Sequence, residues 1–406
     1  MRVVGLDVSR TVAEIAYLEN SEVKAGGRIE LVHGVLSRWA ATQLRVTDHV
    51  VLEATGNTTA VVNAVRPHVA RVVVANPFQV RLIADARVKT DKIDAAVLAQ
   101  LYASGFLPEV WIPDDATQTL RRQVARRAQI VRQRVRLKNE VHSVLHTYLI
   151  PRCPAADLFG RKGRAWLADQ PLPLEERLSV EQRLRELDRL GDDLKAIDRV
   201  LGEAVLHSRA VQQLLTITGV NAIVAIGLWA AIGDITRFRS PEKLVSYFGL
   251  NPSVYQSGLQ PARHGHISKR GRSHARAMLV EAAWAASKAP GPLRAFFHRI
   301  RAKRGLQIAA VATARKLAIV AWHVLTKDEP YAQHRPSLLA IKRRALELQA
   351  GLPARRGGHK GPAAAYSIKQ LRDRERATVE REERAYAQRV ANWQQRPPAR
   401  RRSARA

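Results

Sequence analysis

The chain has 406 residues, 67 Lys and Arg against 36 Asp and Glu, and a formal net charge of +31. That length suits two or three domains with real cores, and 46% hydrophobic residues exclude wholesale disorder, while the cation excess calls for a polyanionic partner, nucleic acid first. A single cysteine, Cys153, excludes a disulfide framework or a thiolate zinc site and points to a reducing cytoplasm.

From residue 1 to about 110 strands alternate with helices. MRVVGLDVS reads as a strand, without the basic and apolar regions of a signal peptide. Thr11 to Leu18 and Arg28 to Val32 follow as hairpin partners, then Val50 to Leu52 and Val72 to Ala75, the last stopped by Pro77. Ile93, Val97, Leu98 and Leu101 give Asp91 to Tyr102 a helical period. Three strands in sequence followed by crossovers predict an α/β, RNase H-like core.

Residues 116 to 149 read as one helix with apolar positions at Leu120, Val124, Ala128, Val131 and Val135, and eight Lys or Arg against one acid, Glu140. That imbalance marks Arg121, Arg122, Arg126 and Arg127 as nucleic-acid contacts. A punctuated turn, Ile150 to Pro173, leads to a second helix over 174 to 206. There Val180, Leu187, Leu194 and Leu201 make a heptad seam for an antiparallel coiled-coil arm or a dimer contact. From 211 to 331 the chain is helical, with Gly219 in a turn resembling a helix-hairpin-helix. The longest strongly apolar stretch of the chain, Ala222 to Gly233, is shorter than the ~20 residues of a bilayer-spanning helix, so no membrane association is expected. The tail, 353 to 406, has 15 Lys and Arg against 5 Asp and Glu and reads as a partly helical polycation.

Two constellations carry chemistry. Asp7 lies in an apolar strand, Glu53 ends another, and Asp91 and Asp94 share a helix face in KTDKIDA. Carboxylates placed this way are ordinary turn and cap residues or, together, ligands for hard cations such as Mg²⁺, with Mn²⁺ the alternative, in phosphoryl transfer. The second is GLNPSVYQSGLQPARHGHISKRGRSHARAMLVEAA, 249 to 283, where Ser257 precedes Gly258 in a turn with Arg263, Lys269, Arg270 and Arg272 behind it. A serine here is turn chemistry or a nucleophile whose target phosphate the cations neutralise. Tyr255 is the rival hydroxyl. His264 and His266, with no third ligand nearby, read as phosphate-contacting or solvated side chains.

GLDVS, VLEATG, NP, KTDKIDA, LxxITGV, FGLNPSVYQSG, GHISKRG and ATARKLAIVAWHVL, in that order, resemble the DEDD-type insertion-sequence transposases, recombinases guided by a bridge RNA. The resemblance covers about 1 to 331. It implies a RuvC-like domain over 1–112, a coiled-coil linker over 113–210, a helical transposase domain over 211–332 and a basic extension over 333–406. It also implies that Asp7, Glu53, Asp91 and Asp94 are the metal-binding tetrad and Ser257 the nucleophile that forms a phosphoserine link to DNA. Donor and target DNA, a noncoding bridge RNA and a homo-oligomer, a dimer becoming a tetramer at synapsis, are the partners it implies. In the family TGVN is replaced by a proline-containing turn. Rival readings are a RuvC-like nuclease using water, a non-catalytic RNA-binding protein, and an actin-like ATPase, whose later Gly-rich phosphate loop is not found.

Overall fold

The computed structural model describes residues 1–83, 91–258, 260–354 and 362–394. The chain divides into two units, Met1–Asp114 and Asp115–Ala406.

In the first unit a six-stranded sheet runs in the order β3-β2-β1-β4-β5-β6. The strands β1 (Val3–Val8), β2 (Val12–Glu19) and β3 (Glu22–Glu30) form an antiparallel meander, and β4 (His49–Glu53) and β5 (Arg71–Ala75) continue it in parallel from β1. A short β6 (Glu109–Val110) closes the far edge antiparallel to β5. This mixed α/β arrangement fits the RNase H-like order expected from the strand sequence. β3 begins six residues earlier than the sequence predicts. Asn20 and Ser21, both at positive φ, make the tight two-residue turn that a twisted hairpin needs. The strand is hard to read because it is an exposed edge carrying charges and Gly26–Gly27, with a register shift opposite Ile15 and Ala16 and Gly27 at φ +84°.

The sheet is covered on both faces, and alternation decides which residue goes where. Val4, Leu6, Val50 and Leu52 bury on one side with Leu36 and Ala40 of α1 (His33–Gln43) and Val61, Val62 and Val65 of α2 (Thr58–Val65). Val3, Val51, Val73 and Ala75 bury on the other side with Val80 of α3 (Pro77–Ile83) and Leu98 and Ala99 of α4 (Asp91–Ala103). Gly5 is the contact point on that second face. A Cβ there would stand 2.0 Å from the Ala95 carbonyl oxygen and 3.3 Å from the Ala99 Cβ, so α4 lies against bare strand backbone.

The second unit opens with α5 (Asp115–Thr147). After a connection holding α6 (Arg161–Ala168), where the sequence predicts only a punctuated turn, the chain returns as α7 (Leu174–Val205). Contacts pairing Arg127 with Asp198, Arg134 with the Leu187 carbonyl and Glu140 with Arg183 make α5 and α7 antiparallel partners within one chain. Ile130, Leu137, Leu187 and Leu190 fill the seam. The main core gathers α8 (Arg209–Leu215), α9 (Ala222–Ile232), α10 (Pro241–Tyr247), α11 (Ser273–Lys288) and α13 (Leu306–Lys327) around Leu214, Leu228, Leu244, Phe248, Leu279 and Leu317. The Gly219 turn joining α8 to α9 sits tightly on α11, where a Cβ would meet the Ala282 carbonyl at 2.3 Å. The helical stretch is interrupted by a hairpin, β7 (Pro252–Tyr255) and β8 (Arg263–Ile267), holds α12 (Pro292–Arg304) between α11 and α13, and is followed by α14 (Pro336–Gln349) and α15 (Lys369–Gln394).

The expectation that Ala222 to Gly233 is the longest apolar stretch is corrected by α13, whose 22 residues are long and apolar enough by composition to cross a bilayer. Arg315 and Lys316 interrupt its pattern, and Ala309, Ala314, Leu317, Ala321 and Val324 are buried in this unit, which is the signature of a core helix.

Candidate catalytic residues and basic surface

β1 and β4 are parallel, with Leu6 paired to Leu52, so Asp7 and Glu53, each the next residue along, stand level on neighbouring strands. Alternation puts both on the face that Val3 and Val51 share with α4. Asp94 directly precedes Ala95, whose carbonyl packs on Gly5, two residues before Asp7. Asp7, Glu53 and Asp94 are all half-buried, and each of Asp7 and Glu53 has a further interaction of its own. Asp91 is the first residue of α4; its side chain and residues 84–90, including Lys89 and Thr90, lie outside the described residues.

The donor set of Asp7, Glu53 and Asp94 is wholly carboxylate, which suits a hard divalent cation rather than zinc. Among the described residues no three His, Cys, Asp or Glu side chains are drawn close enough together to enclose an ion. The set thus fits such an ion in donor chemistry, with Asp7 and Glu53 on one sheet face and Asp94 on the helix over it, but forms no closed cage among the described residues.

A polar turn fixes the two strand ends, and sequence reasoning missed it. Asn57 donates its amide to the Ser9 carbonyl just past β1 at 2.9 Å, Thr55 Oγ1 donates to Asn57 Oδ1 at 2.8 Å, and the Thr55 N–H donates to Thr58 Oγ1 at 2.6 Å. GNTT after a strand reads as ordinary turn composition. Only the neighbouring strand's end reveals that it ties β4 to β1.

In the second unit Ser257 lies in the loop of the β7–β8 hairpin and is exposed, followed by Gly258 at φ +53°. Its carbonyl accepts the Gln260 N–H at 3.3 Å; Leu259 and the His264 side chain lie outside the described residues. Tyr255, 69% exposed, pairs across the hairpin with the exposed Arg263, and His266 is also exposed. The loop after β8 is stitched to the end of α10. The Lys269 N–H donates to the Gly249 carbonyl, the Arg272 N–H to the Tyr247 carbonyl, and Arg276 to the Phe248 and Lys269 carbonyls. Gly271 at φ +135° permits this, because a Cβ would sit 2.2 Å from the Tyr247 carbonyl. Lys269, Arg270 and Arg272 are thereby presented in a fixed loop, all exposed.

The α5 arginines divide. Arg121 turns inward, donating to the Ala230 and Ala231 carbonyls at 2.8 Å and to Tyr247 Oη at 3.3 Å, where it neutralises the negative C-terminal end of α9. Burial holds its pKa below the usual guanidinium value. Arg127 is engaged with Asp198 at 2.5 Å. Arg122 and Arg126 are exposed, Arg122 contacting only Thr119 of its own helix among the hydrogen bonds described. Arg237 stacks on Tyr247 at 4.4 Å, and Arg272 donates to its hydroxyl at 2.8 Å. Burial pushes the Tyr247 hydroxyl up, but Arg272, Arg121 and Arg237 outweigh it and hold the group below its ordinary value.

Comparison with known proteins bears on both units. A model of DEDD-type transposases of the IS110 group matches residues 4–150, and one described as the transposase IS116/IS110/IS902 family matches 211–298. Putative transposase y4qE of Sinorhizobium fredii is 28% identical over 291 residues, 69% of this chain and 70% of the relative. The transposase for insertion sequence element IS1111A of Coxiella burnetii is 28% identical over 258 residues, 60% of this chain and 68% of its own. A pilin gene-inverting protein of Moraxella bovis is 25% identical over 305 residues, covering 70% and 82%.

Proposed function

The chain belongs to the DEDD-type insertion-sequence transposases, and from that premise we propose that it cuts and rejoins DNA through a phosphoserine intermediate on Ser257. The Oγ gives up its proton and bonds to phosphorus, and one ester oxygen of the strand leaves as a hydroxyl. An incoming strand hydroxyl then reverses the exchange and restores the serine. Because one phosphate ester replaces another, the step needs no external energy source.

Asp7, Glu53, Asp91 and Asp94 would hold Mg²⁺ or Mn²⁺. When bound, the ion supplies charge that polarises the phosphate and favours ionisation of the attacking hydroxyl. The chain's own part is placement: two carboxylates level on adjacent parallel strands, with Asp94 on the helix that packs over them. That placement is the observation that supports the reading most. Arg263, Lys269, Arg270 and Arg272 would neutralise phosphate charge around Ser257. A noncoding bridge RNA supplies the sequence specificity in this reading. It agrees with a chain of many cations and only 5% aromatic residues, which has little capacity to stack bases. Homo-oligomers, a dimer and then a tetramer, would bring the DNA ends together; Val135, Leu174 and Leu178 on α5 and α7 are apolar and exposed.

The test is covalent trapping. Ser257→Ala is expected to bind nucleic acid and form no protein–DNA adduct, while Tyr255→Phe still forms one. An adduct retained in Ser257→Ala and lost in Tyr255→Phe identifies the tyrosine as nucleophile. Cleavage with no adduct in any variant favours the hydrolytic, water-using reading. Strand cleavage is also expected to stop in EDTA and in Asp7→Ala, Glu53→Ala, Asp91→Ala or Asp94→Ala; cleavage surviving chelation would refute the metal site.

A further inference from the structure

The C-terminal segment lies beyond both family matches, the later of which ends at residue 298, yet two carboxylates of α15 build it into the second unit. Glu383 accepts from Arg294 Nη2 at 2.6 Å, from Arg294 Nε at 2.9 Å and from the Gly291 N–H at 3.1 Å, where α12 begins. Glu375 accepts from the Ser337 N–H at 2.9 Å and the Ser337 hydroxyl at 2.5 Å, where α14 begins, with Arg335 Nε 3.8 Å away. These two side chains are only 17% and 11% exposed, and Val379 between them is 5% exposed. Both acids sit at the positive ends of helices, where a carboxylate is most favourable.

The opposite face is different in kind. Arg374, Arg381 and Arg384 recur at seven and three residues, which puts them on one stripe of the helix, and all three are exposed. Among the described residues, the hydrogen bond made by their guanidinium groups is that from Arg381 to Thr378 of the same helix. Glu380 is occupied by Arg376 at 2.9 Å, and Asp373 and Glu382 flank the stripe. With Glu375 and Glu383 turned inward, the outer surface of α15 is more cationic than its composition suggests.

We infer that α15 is a docked arm whose outer arginine stripe binds a phosphodiester backbone, adding a sequence-independent contact to the transposase unit. This rests on the reading that the protein acts on nucleic acid. Each arginine would meet a phosphate as a planar donor fork, and the carboxylate clamps hold the stripe in register with the unit. Duplex DNA and structured RNA offer the same chemistry and are told apart by experiment.

The full chain and its Arg374→Gln/Arg381→Gln/Arg384→Gln variant are titrated with labelled duplex DNA and labelled structured RNA across a salt series, read by fluorescence anisotropy. The variant is expected to melt as the parent does. On duplex DNA its log–log salt slope should be shallower by about 2 to 3, at roughly 0.9 per phosphate contact. Loss of slope on one polymer alone identifies that polymer as the ligand of the stripe. An unchanged slope on both overturns the inference, whereas a parent chain with no salt-dependent binding at all overturns the underlying reading instead. Glu375→Gln/Glu383→Gln keeps the arginines and breaks the clamps; it is expected to weaken binding several-fold, and undiminished affinity would show that docking plays no part.

Discussion

Gly5 shows how one atom positions carboxylates on different elements. Its missing side chain lets the Ala95 carbonyl rest on β1, which brings the first turn of α4 to the strand end carrying Asp7. An alanine cannot be accommodated by a side-chain rotation, because the obstacle is backbone. Gly5→Ala is therefore expected to cost about 1 to 3 kcal/mol of stability and to depress strand cleavage by displacing Asp94. Gly34, in α1 with nothing within 4 Å of a built Cβ, is the control: Gly34→Ala should hold or gain about 0.5 kcal/mol. Equal melting temperatures for Gly5→Ala and the parent would show that α4 is free to shift. Asn57 is a positioning residue of the same kind. Its amide joins the turn after β4 to the chain after β1, and no spacing rule in the sequence marks it.

At the scale of elements, the α5–α7 pair is the clearest case of an open sequence reading closed by packing. The heptad seam of α7 could have faced a second chain. Val180 packs with Val141 and Leu145 of α5, and Leu187 and Leu190 with Ile130 and Leu137. Leu187, 2% exposed, sits in the middle of the seam, and Leu187→Ala is expected to cost about 2 to 4 kcal/mol through the cavity it leaves. Denaturant unfolding followed by helical signal measures this; a loss under 1 kcal/mol would mean that the seam collapses around the gap. The β7–β8 hairpin teaches the converse lesson. Its strands are short and its residues largely exposed, so periodicity within a helical region conceals it, although Ser257-Gly258 correctly marks its turn.

Two half-buried groups give the whole molecule a pH signature. Lys342 donates to the Leu215 and Ile217 carbonyls at the end of α8, and burial pulls its pKa down from 10.5 to about 8. Between about pH 8 and 10.5 the unfolded chain keeps a proton that the folded chain has released, so stability rises with pH through that window, by at most ~3 kcal/mol. Burial pushes Tyr331 up from 10.0 to about 12, so above about pH 10 the unfolded chain loses a proton that the folded chain keeps, and stability falls. Denaturation midpoints should therefore climb from pH 8 towards 10 and then decline. Lys342→Met should remove the climb and leave the decline; a profile identical to the parent would rule out the lysine as its source.

Much of this protein is legible in sequence because local physics fixes it. Continuous apolar runs set β1, β4 and β5, the helical period sets α4, α5 and α7, and a net charge of +31 sets the class of partner. The four acids and Ser257 stand out as well, because carboxylates in apolar strands and a hydroxyl in a cation-rich turn are costly or unusual without a role. Tertiary structure alone decides that Asp7 and Glu53 are level on one sheet face, since strand register depends on a partner many residues away. It alone decides that Arg121 and Arg127 are spent on the α9 carbonyls and Asp198 while Arg122 and Arg126 stay exposed. Charge can be counted along a chain, but whether a guanidinium meets a carbonyl, a carboxylate or water depends on which elements pack beside it.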